Sequence, residues 1–310
     1  MAADDPFRRD HHPVPGRPEP LAPGLVVVTA GNPGPMTFTG TRSYLLGESD
    51  LAVIDPGPED AAHRQALLAA IGDRRVAAVL VTHAHLDHSA GAAALARAVG
   101  APVLAHGDAA AARSPAMARL AAAGGLGGGE GFDAGFRPDR RLREGDVVAA
   151  GDWTLSVLET PGHLGDHLCF AWAEGRALFS GDTVMGWATT VISPPDGDLA
   201  AFRSSLTRLA ARADAIYYPG HGAPVRDPQR LTGHVLAHRA ARDADILAAL
   251  ADGPDTVAGL VARIYRGVPV TLHAAAGRNV LAHLVDLCTR GLVSPEGDLR
   301  ADARFRLGQG

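Results

Sequence analysis

Three histidines and an aspartate stand within six positions in His83-Ala84-His85-Leu86-Asp87-His88, one residue (Thr82) after the apolar run 76–81 and ahead of an alanine-rich stretch at 90–99. His83 and His85, two residues apart, project to one side of an extended segment, while Asp87 and His88 follow the turn and can face a second point nearby. Neutral imidazoles suit zinc, and a carboxylate among them suits a second ion or a bound water. A lone histidine reads as a packing or surface residue; this unit, following an apolar strand, reads as a metal site. Similar junctions recur at Thr160-Pro161-Gly162-His163, Ser180-Gly181-Asp182-Thr183 and Tyr218-Pro219-Gly220-His221. Each puts one ligand at a strand end beside a glycine that lets backbones approach closely. Together they supply five histidines and two aspartates. That set fits two divalent ions sharing a carboxylate, because one structural zinc takes four ligands and keeps no open position. Zinc is the first expectation, and manganese and iron accept the same ligands.

Metal coordination lowers the pKa of water from about 15.7 to about 7. A bridging hydroxide so formed can attack an ester, thioester, lactone, amide or phosphodiester, with the cations stabilising the charge that develops on the substrate oxygen. Asp87 would orient this nucleophile and carry its proton toward the leaving group.

The elements that must position these residues follow from local patterning. Short β-like runs at 26–29, 43–46, 51–54, 76–81, 102–105, 147–150, 154–158, 168–172, 177–180 and 215–218 alternate with helical stretches at 61–71, 90–99 and 199–211. The mixture predicts an α/β domain over residues 24–223, its sheets covered by helices. Residues 1–23 are polar and Pro-rich and read as a loosely held arm. Ala121–Gly135 is too glycine-rich for regular structure and reads as a flexible loop. After Pro224 come helices at 231–250, 256–265 (capped by Thr256) and 274–290 (ended by Gly291), then a hairpin at 293–307. That order predicts a winged-helix-like domain over 224–310.

Composition bounds the function. The 310 residues are 46% hydrophobic and 20% charged, and their longest apolar runs are far too short to span a bilayer. Two cysteines, Cys169 and Cys288, are too few for a disulfide scaffold. The N-terminus lacks the apolar core of a signal peptide, so a cytoplasmic enzyme is expected. All 29 basic residues are arginine, and no step can call on a lysine. Of the net charge of −5, residues 1–223 carry −7 and residues 224–310 carry +2. The C-terminal part is only slightly basic, which points away from a dedicated nucleic-acid reader.

The ordered set His83-x-His85-x-Asp87-His88, His163, Asp182 and His221 resembles the metallo-β-lactamase superfamily of binuclear metallohydrolases over residues 24–223. The resemblance implies a four-layer αββα sandwich with one metal on His83, His85 and His163, the other on Asp87, His88 and His221, and Asp182 bridging. The stretch from Ser180 to Asp198 and Asn279–His283 (NVLAH) are similar to a branch with a C-terminal winged helix. That branch includes bacterial hydrolases and a mitochondrial single-stranded-RNA endonuclease. His85 stands where oxygen-reducing diiron relatives carry Glu, and the 39 residues from Asp182 to His221 leave no room for an inserted cap domain. The missing lysine disfavours lactamase and glutathione-thioester schemes that hold a substrate carboxylate with it. The leading expectation is hydrolysis of a small ester, thioester or lactone, favoured by an acidic domain that repels polyanions. The alternatives are an endoribonuclease on single-stranded RNA, a β-lactamase-type amide hydrolase and a persulfide dioxygenase. Trp187, Tyr44, Arg42 and His167 are the candidate substrate-binding residues. A basic groove joining the ligands to Arg263, Arg266 and Arg278 would favour RNA, and a closed apolar pocket an acyl substrate.

Overall fold

The computed structural model describes residues 5–107, 110–124, 131–267, 269 and 272–308. One sheet runs β1 (Pro18–Ala22), β2 (Leu25–Thr29), β3 (Arg42–Leu46), β4 (Asp50–Ile54), β5 (Arg75–Leu80), β6 (Val103–Ala105) and β7 (Arg140–Arg141) in that spatial order. Its first four strands are antiparallel and its last four parallel. Parallel neighbours need crossovers, supplied by α1 (Ala61–Ile71), the single turn α2 (Leu86–Ser89) with α3 (Ala92–Val99), and α4 (Pro115–Ala123). The second sheet holds β8 (Val147–Ala150), β9 (Trp153–Glu159), β10 (Leu168–Trp172), β11 (Ala177–Gly181) and β12 (Ile216–Pro219). Its one parallel pair, β11 with β12, is bridged by α5 (Leu199–Ala210).

Strand alternation builds the layers. Leu25, Val27, Tyr44, Leu46, Ile54 and Leu80 of the first sheet meet Leu155, Val157, Phe170, Phe179 and Tyr218 of the second in one buried core. The opposite parity of the first sheet, Val28, Leu45, Val53 and Val79, packs on Leu67 and Ile71 of α1 and Leu95 of α3. Cys169, Leu178 and Tyr217 on the second sheet's outer face pack on Phe202, Leu206 and Leu209 of α5. The result is the expected αββα sandwich, each fully buried Leu or Phe contributing about 1.5–3 kcal/mol. Both cysteines are free thiols.

Beyond it come α6 (Pro228–Ala251), α7 (Val257–Ile264) and α8 (His273–Thr289), with a small sheet of β13 (Asp255–Thr256), β15 (Arg304–Leu307) and β14 (Val293–Pro295). Thr256 caps α7 through Gly259 N at 3.1 Å, and Gly291 follows α8 at φ 73°. This is a winged-helix arrangement. Its core of Ile246, Leu260, Val280, Leu284 and Phe305 also takes in Met117 and Leu120 of α4. Helix α6 serves both cores, because Leu231 and Val235 pack against the second sheet's outer layer.

Two expectations need correction. The N-terminal arm is fastened: β1 pairs with β2, Arg8 N–H donates to Gly186 O at 2.7 Å, and Phe7 meets the His234 ring edge-on at 5.6 Å. Backbone pairing of this kind leaves no mark in a polar, Pro-rich composition. The glycine-rich stretch is not all loop, since α4 extends to Ala123. Residues 125–130 of that stretch lie outside the described residues. Gly131 O accepts from Leu86 N at 2.7 Å, and Asp133 accepts from Ser89 Oγ at 2.9 Å, so its far end rests on the His83–His88 turn. No helix among the described residues is long and apolar enough to cross a membrane.

Candidate metal centre

Four strand ends meet at one edge of the sandwich. β5 delivers His83 and His85, and α2 follows at once with Asp87 and His88. β9 leads through Gly162 to His163, β11 ends on Gly181 before Asp182, and β12 leads through Gly220 to His221. The glycines are required here: a Cβ on Gly220 would overlap Asp182 Oδ1 and His88 Cε1, and Gly162, at φ 144°, is seated against the Phe202 backbone.

The seven predicted ligands converge as two triads. In the first, His85 Nδ1 lies 2.9 Å from His83 Nε2 and 3.1 Å from His163 Nε2. In the second, His88 Nε2 lies 3.3 Å from both His221 Nε2 and Asp87 Oδ2. Asp182 sits between them, with Oδ2 3.6 Å from His163 Nε2 and 3.3 Å from His221 Nε2, and Oδ1 3.6 Å from His88 Nε2. The atoms of each triad lie within 4.8 Å of one another, so each could hold an ion.

The electrostatics fit cations. Burial holds His83, His85 and His163 below the usual histidine range, His85 at about 3, so their lone pairs stay available at neutral pH. Burial would push His88 and His221 the same way, but Asp87 and Asp182 outweigh it and raise both, His221 to about 9. This half of the cluster thus demands positive charge, and a divalent cation meets that demand where protons otherwise must. Asp182 Oδ1 is buried with no hydrogen-bond donor, an acceptor left for an ion.

Several of the candidate ligands are aimed from behind. His83 Nδ1 meets Thr82 Oγ1 at 3.0 Å, His163 Nδ1 donates to Val191 O at 3.0 Å, and His221 Nδ1 faces Gly40 O at 3.3 Å. Thr41 Oγ1 donates to Asp87 Oδ2 at 3.0 Å. Asp55 is a support that sequence reasoning missed. It accepts from Thr82 N at 2.7 Å and Thr82 Oγ1 at 2.8 Å, and its Oδ2 lies 2.9 Å from His88 Nδ1. The signal was present, because Asp55-Pro56-Gly57 follows β4 just as the other ligand junctions follow their strands. Asp55→Ala is expected to weaken metal binding about 10–100-fold, by calorimetric titration. It should also cost about 1–3 kcal/mol in a denaturant melt, since the buried Thr82 N–H loses its acceptor.

A cleft of about 320 Å³ opens over the triads, lined by His85, Asp87, His163, Asp182 and His221 and walled by Pro35, Met36, Met185, Trp187 and Val191. The Trp187 indole stacks on Phe38 at 4.9 Å and 8°. The other three substrate candidates stand away from it. Tyr44 is buried between the sheets and donates to Pro219 O at 2.6 Å. Arg42 is fully buried against His11 Nε2 at 3.0 Å. His167 is buried beneath the ligands, accepting from Asp182 N through Nε2 at 3.1 Å while Nδ1 meets Thr160 Oγ1 at 2.8 Å. It holds the Asp182 amide and does not line the cleft.

Residues 36–221 match the family profile described as the metallo-beta-lactamase superfamily. The chain belongs to that superfamily. Residues 256–303 of this metallo-beta-lactamase superfamily protein also match the beta-lactamase associated winged helix domain. It is similar to an atrochrysone carboxyl ACP thioesterase of Aspergillus fumigatus, 31% identical over 304 residues that cover 93% of this chain and 86% of that protein. A beta-lactamase-like protein 2 homolog of Caenorhabditis elegans is 28% identical, covering 89% and 88% of the two chains. The crystal structure of a beta-lactamase domain protein from Burkholderia ambifaria superposes with a TM-score of 0.78 at 27% identity, over 96% of both chains. The superfamily match opens at the Met36 wall of the cleft and closes on His221, so the whole predicted ligand set lies inside it.

Proposed function

We propose that this metallo-beta-lactamase superfamily chain is a two-metal hydrolase of apolar acyl thioesters and related small esters. Two divalent ions, zinc first among them, would supply an ionised water and an electrophile for the acyl oxygen. His83, His85 and His163 would hold one, Asp87, His88 and His221 the other, and Asp182 would reach both. Asp87, steadied by Thr41, faces the cleft with a quarter of its side chain exposed; there it can orient the attacking water and pass its proton to the leaving group. Pro35, Met36, Met185 and Trp187 would grip the acyl chain and exclude water.

The observation that carries this reading is the cleft wall: among the described residues lining it there is no arginine, so beyond the two ions themselves no side chain there would pair with the flanking phosphates of an RNA strand or with a substrate carboxylate. Arg263, a candidate for an RNA face, is turned to Ala249 O at 2.9 Å and to Asp252 and Asp255 instead. The thioesterase name of the Aspergillus relative supports the same substrate class. The test is a panel of apolar acyl thioesters, esters, lactones, β-lactams and single-stranded RNA oligomers, run on the metal-loaded chain and on Trp187→Ala. Thioesters should be turned over best, and Trp187→Ala should raise their KM about 10-fold with little change in kcat. RNA cleavage exceeding thioester hydrolysis would overturn the reading.

A further inference from the structure

We infer that Arg239 on α6 and Asn279 on α8 are positioning residues of the metal centre, so that the C-terminal helices form part of the apparatus that aims Asp182 and His163. The inference rests on the metal-binding reading above.

The segment carrying Thr190, Val191 and Ile192 has no regular structure, yet Thr190 and Ile192 are buried. Its backbone groups must therefore find partners elsewhere. They find them on the C-terminal helices. Arg239 Nη2 donates to Thr190 O, Arg239 Nη1 donates to Asn279 Oδ1 at 3.2 Å, and the same Oδ1 accepts from Ile192 N at 3.2 Å. Asn279 Nδ2 donates to Ala275 O at 3.4 Å, which fixes which end of the amide faces the segment. The segment in turn touches two ligands. Thr190 Oγ1 donates to Asp182 O at 2.6 Å, and Val191 O accepts from His163 Nδ1 at 3.0 Å, leaving Nε2 with the lone pair that faces the cluster. The guanidinium also lies over Phe202, at 5.6 Å from the ring centroid, and Phe202 is the residue against which Gly162 seats before His163.

Arg239 is a costly way to join helices to a sandwich. It is buried, its Nε has no acceptor, and among the described residues no carboxylate hydrogen-bonds it. An apolar side chain of similar size would satisfy packing at less desolvation cost. What such a side chain cannot do is hold the Thr190 carbonyl while steering Asn279 onto Ile192 N. Asn279 lies in the NVLAH stretch, which the ligand set alone leaves without a role.

The experiment measures Zn(II) affinity and stoichiometry by chelator competition on the full chain and on Arg239→Met, Asn279→Ala, Asn279→Asp and Arg203→Met. Arg203 pairs with Asp243 at 2.8 Å and Asp286 at 3.7 Å where α5, α6 and α8 meet; its hydrogen bond to Arg239 goes to the backbone carbonyl at 3.4 Å, away from the guanidinium, and among the described residues it makes none to residues 190–192. It is therefore the control for loosened packing between the same elements. Arg239→Met and Asn279→Ala should weaken zinc binding about 10–100-fold, the range for groups that orient ligands from behind. Asn279→Asp keeps the acceptor for both donors and should restore most of it. Arg203→Met should lower the melting temperature while leaving zinc affinity at the wild-type value. Unchanged zinc affinity in Arg239→Met and Asn279→Ala, or an equal loss in Arg203→Met, overturns the inference alone. A wild-type chain that binds no zinc removes the metal-binding reading and the inference with it.

Discussion

Asp182→Ala should reduce bound metal to at most one ion per chain and lower kcat/KM for an acyl thioester about 10⁴-fold. That factor corresponds to a loss of about 5.5 kcal/mol of transition-state stabilisation. Asp182 is the residue whose carboxylate reaches both triads, at 3.3 Å from His221 Nε2 and 3.6 Å from His88 and His163 Nε2. Its own acidity reflects that position: burial would raise its pKa, yet the His221 and His88 charges hold it well below the usual carboxylate range. Without it, two cations would face one another across five imidazoles and the single carboxylate of Asp87, in a buried setting where unshielded like charges repel strongly. Elemental analysis of the purified variant beside its steady-state kinetics checks both halves of the expectation. Two ions per chain with near-native turnover would show that the bridge is dispensable.

Stripping metal from the wild-type chain should lower the melting temperature of the sandwich by about 10–20 °C and abolish hydrolysis, both recovering on adding back zinc. An ion present at a hundred times its dissociation constant contributes about 2.7 kcal/mol. Two ions give about twice that, and a chain of this size moves by about 2–4 °C per kcal/mol. The shift has a location. The candidate ligands hang on β5, β9, β11 and β12, whereas Ile246, Leu260, Leu284 and Phe305 belong to a second core among the C-terminal helices, joined from the sandwich by α4. Where calorimetry resolves two transitions, the larger shift should belong to the one that includes the sandwich. Equal melting curves with and without chelator would mean that the cluster contributes nothing as a metal site.

The convergence of the seven histidines and aspartates was legible because residue type and backbone geometry point the same way along the chain. Three apolar strands each followed by a glycine and a histidine or aspartate, and the run His83–His88 after a fourth, leave few other readings, and all seven residues lie in one cluster. The layers were legible for a related reason, since strands such as 168–172 and helices such as 199–211 carry their burial pattern in their apolar spacing. Less legible was which of the substrate-binding candidates would line the cleft: Trp187 does, and Arg42, Tyr44 and His167 do not. Tyr44 on β3 packs in the core between the sheets, and Arg42, two residues before it, is buried against His11 of the N-terminal arm. Nothing local distinguishes the two faces of a strand buried on both sides. His167 was close in sequence to His163 but lies one layer deeper, against the Asp182 amide. The supports on Thr190 and Ile192 come from Arg239, 49 residues away, and Asn279, 87 residues away, and such pairings exist only after folding.

One titration decides whether two ions serve this site: zinc added stepwise to the metal-free chain while hydrolysis of an apolar acyl thioester is followed. Activity should be absent at the start, rise with added metal and level off at two equivalents per chain. Hydrolysis by the metal-free chain, or a plateau reached at one equivalent, would contradict the two-metal reading.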